Sequence, residues 1–280
     1  MRRRIAAVLV VGASLFPLFV ASPALAGSPG WIVKCSYSHS LPDDPVVHPG
    51  HPGMSHLHDF FGNREVNADS TYESMVAAET SCTDPDDTAG YWVPALYRNG
   101  VRVLPQGRSV TGRSTRQKLY YRKSGSGSVT PFPPGFTMII GNSHATSEAE
   151  NTYLGRRIDW GCADNSNPSD QKAPVNCPGT GIITLHFDFP SCWDGTYVPL
   201  ANEVPQMKYP SSGACPVGYL KLPRLIQRFE WPVGTSTGTI TLASGAYYTA
   251  HADFVNTWDQ GRLEELTTDC LNASVDCGTL

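Results

Sequence analysis

At three places in the 280-residue chain a histidine stands two positions before another histidine or an aspartate: His56-Leu57-His58, His186-Phe187-Asp188 and His251-Ala252-Asp253. Successive side chains of an extended strand face opposite ways, so residues i and i+2 leave the backbone on one face and can close on a common target. Neutral imidazole nitrogen and carboxylate oxygen suit Zn²⁺, Cu²⁺ or Fe²⁺, and a catalytic ion needs three protein ligands with one position left open. Two such pairs meeting would suffice, which makes His56, His58, His251 and Asp253 the candidate metal ligands. The competing reading is that each pair hydrogen-bonds loops together, as buried His–Asp pairs commonly do. For His56 and His58 the segment before them, Pro45 to His56, is rich in Pro and Gly and reads as a rigid turn region, a common place for a site. His48 and His51 are expected to face water, and His39 and His144 offer no geometric argument.

Acid–base candidates follow. Asp194 sits beside Trp193 and Cys192, where a partly apolar pocket would raise its pKa towards the range of a general acid. The alternative for Asp194 is an Asx turn before Gly195. Asp59 and His186 are the other catalytic candidates. A metal-free glycosidase would pair Asp194 with Asp253 or Asp59, with retention or inversion set by the carboxyl separation. A copper brace built on the amino-terminal residue is excluded, because cleavage of the leader described below leaves Gly27. No Gly-x-Ser-x-Gly motif, dinucleotide fingerprint or phosphate loop is present, so nucleophilic-serine chemistry and nucleotide cofactors are not expected.

The elements that must position these groups read as an exported β-protein. Residues 1–26 combine Arg2, Arg3 and Arg4, an apolar run from Ile5 to Ala21 interrupted by Gly12 and Pro17, and Ala24-Leu25-Ala26 before Gly27. That pattern predicts a secretory signal peptide rather than a membrane span, and a mature chain, 27–280, free of the membrane. Loss of the three leader arginines takes the formal charge from −4 to −7, which argues against a nucleic-acid partner. All eight cysteines follow the leader, and an oxidising exterior predicts four bridges. Their spacing is too wide for structural zinc, and pairing of sequence neighbours, 35 with 82, 162 with 177, 192 with 215 and 270 with 277, is the simplest of many connectivities.

Strand-like runs dominate. They are Tyr91–Tyr97 and Val101–Leu104 about an Asn99-Gly100 turn, then Lys118–Arg122, Phe136–Ile140, Ile182–Phe189, Gln227–Val233, Thr239–Ala243 and Tyr247–Phe254. Helical signals are confined to Ser70 with Glu73, a capping box, and Asp259, a cap for Arg262–Cys270. With 26 Gly and 23 Pro and no long linker, residues 27–280 predict one all-β domain, a sandwich or jelly-roll-like fold with one or two short peripheral helices, expected as a monomer.

Several segments together are distinctive: Asp44-Pro45-Val-Val with Pro49-Gly50, Ser55-His-Leu-His-Asp-Phe-Phe-Gly-Asn63, Tyr91-Trp-Val-Pro94, Phe189-Pro-Ser-Cys-Trp-Asp-Gly195, Cys215-Pro216 and His251-Ala-Asp-Phe254 with Trp258-Asp259. In composition and order they resemble a secreted family of unknown function, DUF1996, over about Cys35 to Cys270. The resemblance implies secretion and, through fungal relatives joined to WSC-type modules, an association with cell-wall polysaccharide, but it implies no reaction. It marks His56, His58, Asn63, Trp193, Asp194, His251 and Asp253 as site positions. The chain departs from the family where a histidine-containing segment is expected and Asn202–Tyr209 stands instead; if that histidine is required for chemistry, the protein is either inactive or uses Glu203 in its place.

Three functions fit these readings. One is a metal-assisted enzyme acting on extracellular carbohydrate, with a divalent ion such as Zn or Cu as cofactor. Another is a non-catalytic polysaccharide-binding protein, stacking sugar rings on Trp92, Trp160, Trp193, Trp231, Trp258, Tyr120–Tyr121 or Tyr247–Tyr248, with Trp193, Asn63 and Tyr121 as binding residues. The third is an effector acting on another protein. The ordinary alternative for each aromatic residue is core packing.

Overall fold

The structure, a computed structural model, describes residues 28–108, 111–112, 114, 116–152, 157–165, 171–196 and 207–280. The leader and Glu203, with the rest of 202–206, lie outside the described residues. The fold is all-β. Two sheets carry it, and their strands bury alternate residues against one another as a period of two requires.

The first sheet has five antiparallel strands in the order Tyr37–Leu41, His58–Gly62, Gly90–Pro94, His251–Val255 and Thr137–Gly141. The second has six, in the order Asp276–Thr279, Gly30–Cys35, Gln117–Arg122, Arg224–Pro232, Ile182–Asp188 and Arg157–Cys162, antiparallel except for its first pair. Their facing sides share one apolar cluster that includes Phe61, Tyr91, Val93 and Phe254 from the first sheet and Tyr121, Leu185, Phe229 and Trp231 from the second. Phe61 meets Phe229 edge-on at 5.2 Å, and the Tyr91 and Tyr121 hydroxyls lie 2.6 Å apart across the interface. The two smaller sheets are Gly245–Ala246, Ile240–Leu242, Leu96–Arg98 and Val101–Val103, and Met207–Lys208, Cys192–Trp193 and Leu220–Lys221.

All four bridges join sequence neighbours as expected: Cys35–Cys82, Cys162–Cys177, Cys192–Cys215 and Cys270–Cys277. No helix among the described residues is long and apolar enough to cross a membrane.

Three local expectations are corrected. The turn at Asn99 and Gly100 forms, with φ of 50° and 76°, but the predicted first arm is two strands. Gly90–Pro94 stays in the large sheet, and the chain leaves it at Ala95, whose N–H bonds Leu57 O and whose carbonyl accepts from Ala243. Tyr247–Thr249 is a single tight helical turn rather than strand, so the strand expected from Tyr247 begins only at His251. The first helix, Tyr72–Ala77, is capped one residue later than predicted, by Thr71 with Ser74 closing the box. With Glu148–Thr152 and the Asp259-capped Gln260–Leu266, which continues into a wider helical segment at Thr267–Asn272, three short α-helices stand among the described residues.

The outer face of the five-stranded sheet positions the site. Phe60, Trp92, Asp253 and Ile139 stand abreast on it, and one step along lie His58 opposite Pro94 and His251 opposite Gly141. A small apolar cluster of Val46, Phe60, Val66, Met75, Trp92 and Val255 covers the rest of that face. The polar residues thus sit at the edge of an apolar seal.

Candidate metal centre

His58 opens its strand and is fully buried, with Nδ1 2.9 Å from the Asp43 carbonyl oxygen. A carbonyl only accepts, so in the neutral ring Nδ1 carries the proton and Nε2 keeps a bare lone pair. His251 repeats the arrangement, its Nδ1 2.9 Å from Thr249 O. The two Nε2 atoms nevertheless face each other at 3.3 Å, where neither can donate to the other. His56, from the loop before the strand, brings its own Nε2 to 3.0 Å from that of His251. Two nitrogens bound tetrahedrally to one ion at the usual ~2.0–2.1 Å lie roughly 3.3 Å apart, so these separations match ligands around a common centre, while the 3.0 Å contact also fits a hydrogen bond donated by a His56 ring protonated at Nε2. Donation of the second ring nitrogen to a fixed carbonyl is the support that metal-binding histidines use.

The loop from Pro42 to Leu57 is built to hold its histidine and its carbonyl. Asp44 Oδ1 accepts from Val46 N and Val47 N at 2.9 and 3.0 Å, and Asp43 Oδ1 accepts from Gly53 N at 2.8 Å. Ser55 N closes the loop on Pro42 O at 3.0 Å. Burial, reinforced by the neighbouring imidazoles, pushes His56 down to about 4 and His251 to about 3, and holds His58 well below the ordinary histidine value. All three are therefore neutral at neutral pH, the form that binds metal.

Asp253 lies on the same face as His251, as its spacing predicts, but it groups with Asp44 and His58 rather than with His56. Each of the two triads, His56–His58–His251 and Asp44–His58–Asp253, offers ligand atoms within 4.8 Å of one another. Burial raises both carboxyl pKa values, and the charge of Asp44 raises that of Asp253 further.

His56, His251, Asp44 and Asp253 line a cleft of about 490 Å³ whose rim carries Asn142, Ser143, His144 and Ser244. His144, from which no geometry could be read in sequence, is close enough to depress His56 and His251, and His48 also acts on His56. Another hollow, of about 550 Å³, lies beside Asp188, Arg224 and Tyr209 and contains none of these histidines. The rim segment 142–144 turns away at Gly141, whose φ is +100° and where an added Cβ would stand 2.3 Å from Ala250 O. Gly141→Ala is expected to cost ~2–4 kcal/mol, since the backbone strain and the displaced strand both oppose it, and thermal unfolding measures that loss.

Other predicted site residues lie elsewhere. Asp194 Oδ1 accepts from Thr196 N at 2.9 Å, the Asx turn, and does not line the cleft. Asp59 points between the sheets, where it pairs with Arg102 and accepts from Ser40, so it does not reach the cleft. His186 is on the six-stranded sheet, opposite Arg228 and Asp159, and Asp188 is taken by a two-pronged ion pair with Arg224 at 2.6 and 2.7 Å. Asn63 is a buried strut, donating to Met75 O and Thr88 O at 2.7 and 2.8 Å. Trp193 is buried with its N–H on Thr196 O, and Tyr121 is stacked on Trp31 at 4.7 Å in the core. Neither aromatic ring can receive a sugar.

A family model described as a domain of unknown function, DUF1996, matches residues 44–258. The chain belongs to this family. The match begins at Asp44 and takes in His56, His58, His251 and Asp253, so both triads fall inside the DUF1996 domain. No curated protein and no solved structure matches the chain.

Proposed function

We propose that this DUF1996 protein is a secreted, metal-dependent enzyme acting on extracellular or cell-wall polysaccharide, with its ion held by His56, His58 and His251. The observation that carries the reading is the convergence of three Nε2 atoms, two of them stripped of protons by carbonyl acceptors behind them. Bound there, a divalent ion supplies a Lewis acid and an activated water at its open position. His58 and His251 hold their rings by the Asp43 and Thr249 carbonyls. Asn142, Ser143 and Ser244 offer the amide and hydroxyl groups that polyhydroxylated substrates bond, and the exposed His144 stands at the rim as a proton carrier. Export is supported by the leader-like residues 1–26 and the four disulfides.

The alternative, a non-catalytic wall binder, has lost most of its platform, since Trp92, Trp160, Trp193, Trp231, Trp258 and Tyr121 are all buried. Only Tyr120, Tyr247 and Tyr248 among the named rings are half-exposed. Metal-depleted protein titrated with Zn²⁺ or Cu²⁺ should take up one tightly held equivalent, and products from a polysaccharide panel should appear only after loading. Asp194→Asn, which keeps the Asx turn, should turn over substrate as the parent does. Binding of polysaccharide with no product in the loaded protein would overturn the enzyme reading.

A further inference from the structure

Beside the imidazoles, the cleft contains two buried carboxyls, Asp44 and Asp253, of which Asp44 has the His48 imidazole within electrostatic reach. Asp253 is fully buried, and neither of its oxygens has a hydrogen-bond partner among the described residues. Asp44, only 4% exposed, has one oxygen oriented by the Val46 and Val47 amides. Neither lysine nor arginine lines the cleft among the described residues. A buried carboxylate without a partner costs several kcal/mol, so Asp253 calls for a proton or a cation, and Asp44 stands close enough to share it. We propose that Asp44 and Asp253 hold a second divalent cation, of the oxygen-seeking Mg²⁺ or Mn²⁺ class, beside the ion at the imidazole centre on which this inference rests.

His58 fixes the arrangement. Its Nδ1 is spent on Asp43 O, so Nε2 is its one free ligand atom, and that atom faces His251. Nε2 of His58 therefore serves the nitrogen-held ion, while the same residue stands within 4.8 Å of an oxygen of each carboxylate. The two ions become neighbours with donors sorted by hardness: imidazole nitrogen for Zn²⁺, carboxylate oxygen for Mg²⁺ or Mn²⁺. Ions of the latter class are commonly bound through one or two carboxylates and complete their shell with water or substrate oxygens. Adjacent ions of this kind clamp the attacking and the leaving oxygen of a displacement, which a single ion cannot do alike.

The test loads full-length mature protein with one equivalent of Zn²⁺ and titrates Mn²⁺, following free Mn²⁺ by electron paramagnetic resonance. One bound Mn²⁺ per zinc-loaded chain is expected. Asp253→Asn and Asp44→Asn should each weaken Mn²⁺ at least tenfold while keeping the zinc. Free Mn²⁺ remaining unbound in zinc-loaded wild type at millimolar concentration overturns the proposal, as does equal Mn²⁺ affinity in Asp253→Asn. Anomalous scattering at the manganese edge from wild-type crystals decides without any variant: a peak between the two carboxylates supports the site, and a peak elsewhere overturns it. Failure to take up zinc at all would instead refute the imidazole centre, so the two claims fall separately.

Discussion

Replacing His56 by alanine is expected to empty the imidazole centre of its metal while leaving the fold standing. His56 is half-buried and comes from a loop, so its removal opens onto the cleft and leaves no sealed cavity. The loop does not depend on it, because the anchors are the carboxylates of Asp43 and Asp44 and the Ser55–Pro42 backbone bond. Loss of a residue that merely supports a ligand already weakens metal binding about 10–100-fold, so loss of a ligand should exceed about 100-fold. Zinc competition against a chromophoric chelator measures the affinity, and denaturant unfolding of the metal-free protein measures the fold. A structural hydrogen-bond network predicts the opposite pattern, with stability lost and no metal to lose. His58→Ala is the less discriminating change, since it empties a fully buried position in the sheet and lowers stability whatever the role of the ring.

The site was partly legible because strand periodicity is local. His251 and Asp253 lie on one face of one strand, as their spacing requires. The same rule assigned to His56 and His58 gave the right neighbours for a different reason: His56 precedes the strand and reaches His251 from a loop. It also promoted His186 and Asp188, which share a face but on the sheet that carries Arg224 and Arg228. Periodicity says which way a side chain leaves the backbone and nothing about what waits there. Asp44 was visible as part of a motif, yet its place beside Asp253 depends on the Pro42–Leu57 loop folding back over the sheet, a contact across some two hundred residues. Of the aromatic residues offered as sugar platforms, Trp160, Trp193, Trp231, Trp258 and Tyr121 fill the main core and Trp92 the small cluster on the outer face, where a protein of this composition needs its largest side chains. The disulfides were readable because each bridge joins sequence neighbours, although spacing alone could not single out that connectivity.

Acid should expose the cost of keeping three imidazoles neutral. In an unfolded chain a histidine titrates near 6.5, whereas His56 and His251 in the folded protein titrate at about 4 and about 3. Below pH 6.5 the unfolded chain therefore takes up protons that the native site refuses, and stability falls as pH falls, until the native rings protonate between about pH 4 and 3. The buried carboxyls of Asp44, Asp87 and Asp253 have raised values and act in the opposite sense, holding protons in the native state that the unfolded chain releases as pH rises above 3.8. The two sets oppose each other in wild type, so the informative quantity is a difference. The metal-free His56→Ala variant should gain stability relative to wild type as pH is lowered from 6.5 to 4, by ~1–2 kcal/mol once solvent screening of the half-buried ring is allowed for. Chemical denaturation of both proteins at several pH values in the presence of chelator gives that difference, and a gap that stays constant or widens in the other direction contradicts the burial argument. The same depression protects metal binding, since protons compete for a ligand only below its folded-state pKa. Zinc affinity should accordingly stay level from pH 7.5 down to 5, a range over which an exposed histidine site loses its metal, and competition titrations across that range would show a steep fall if the imidazoles were ordinary.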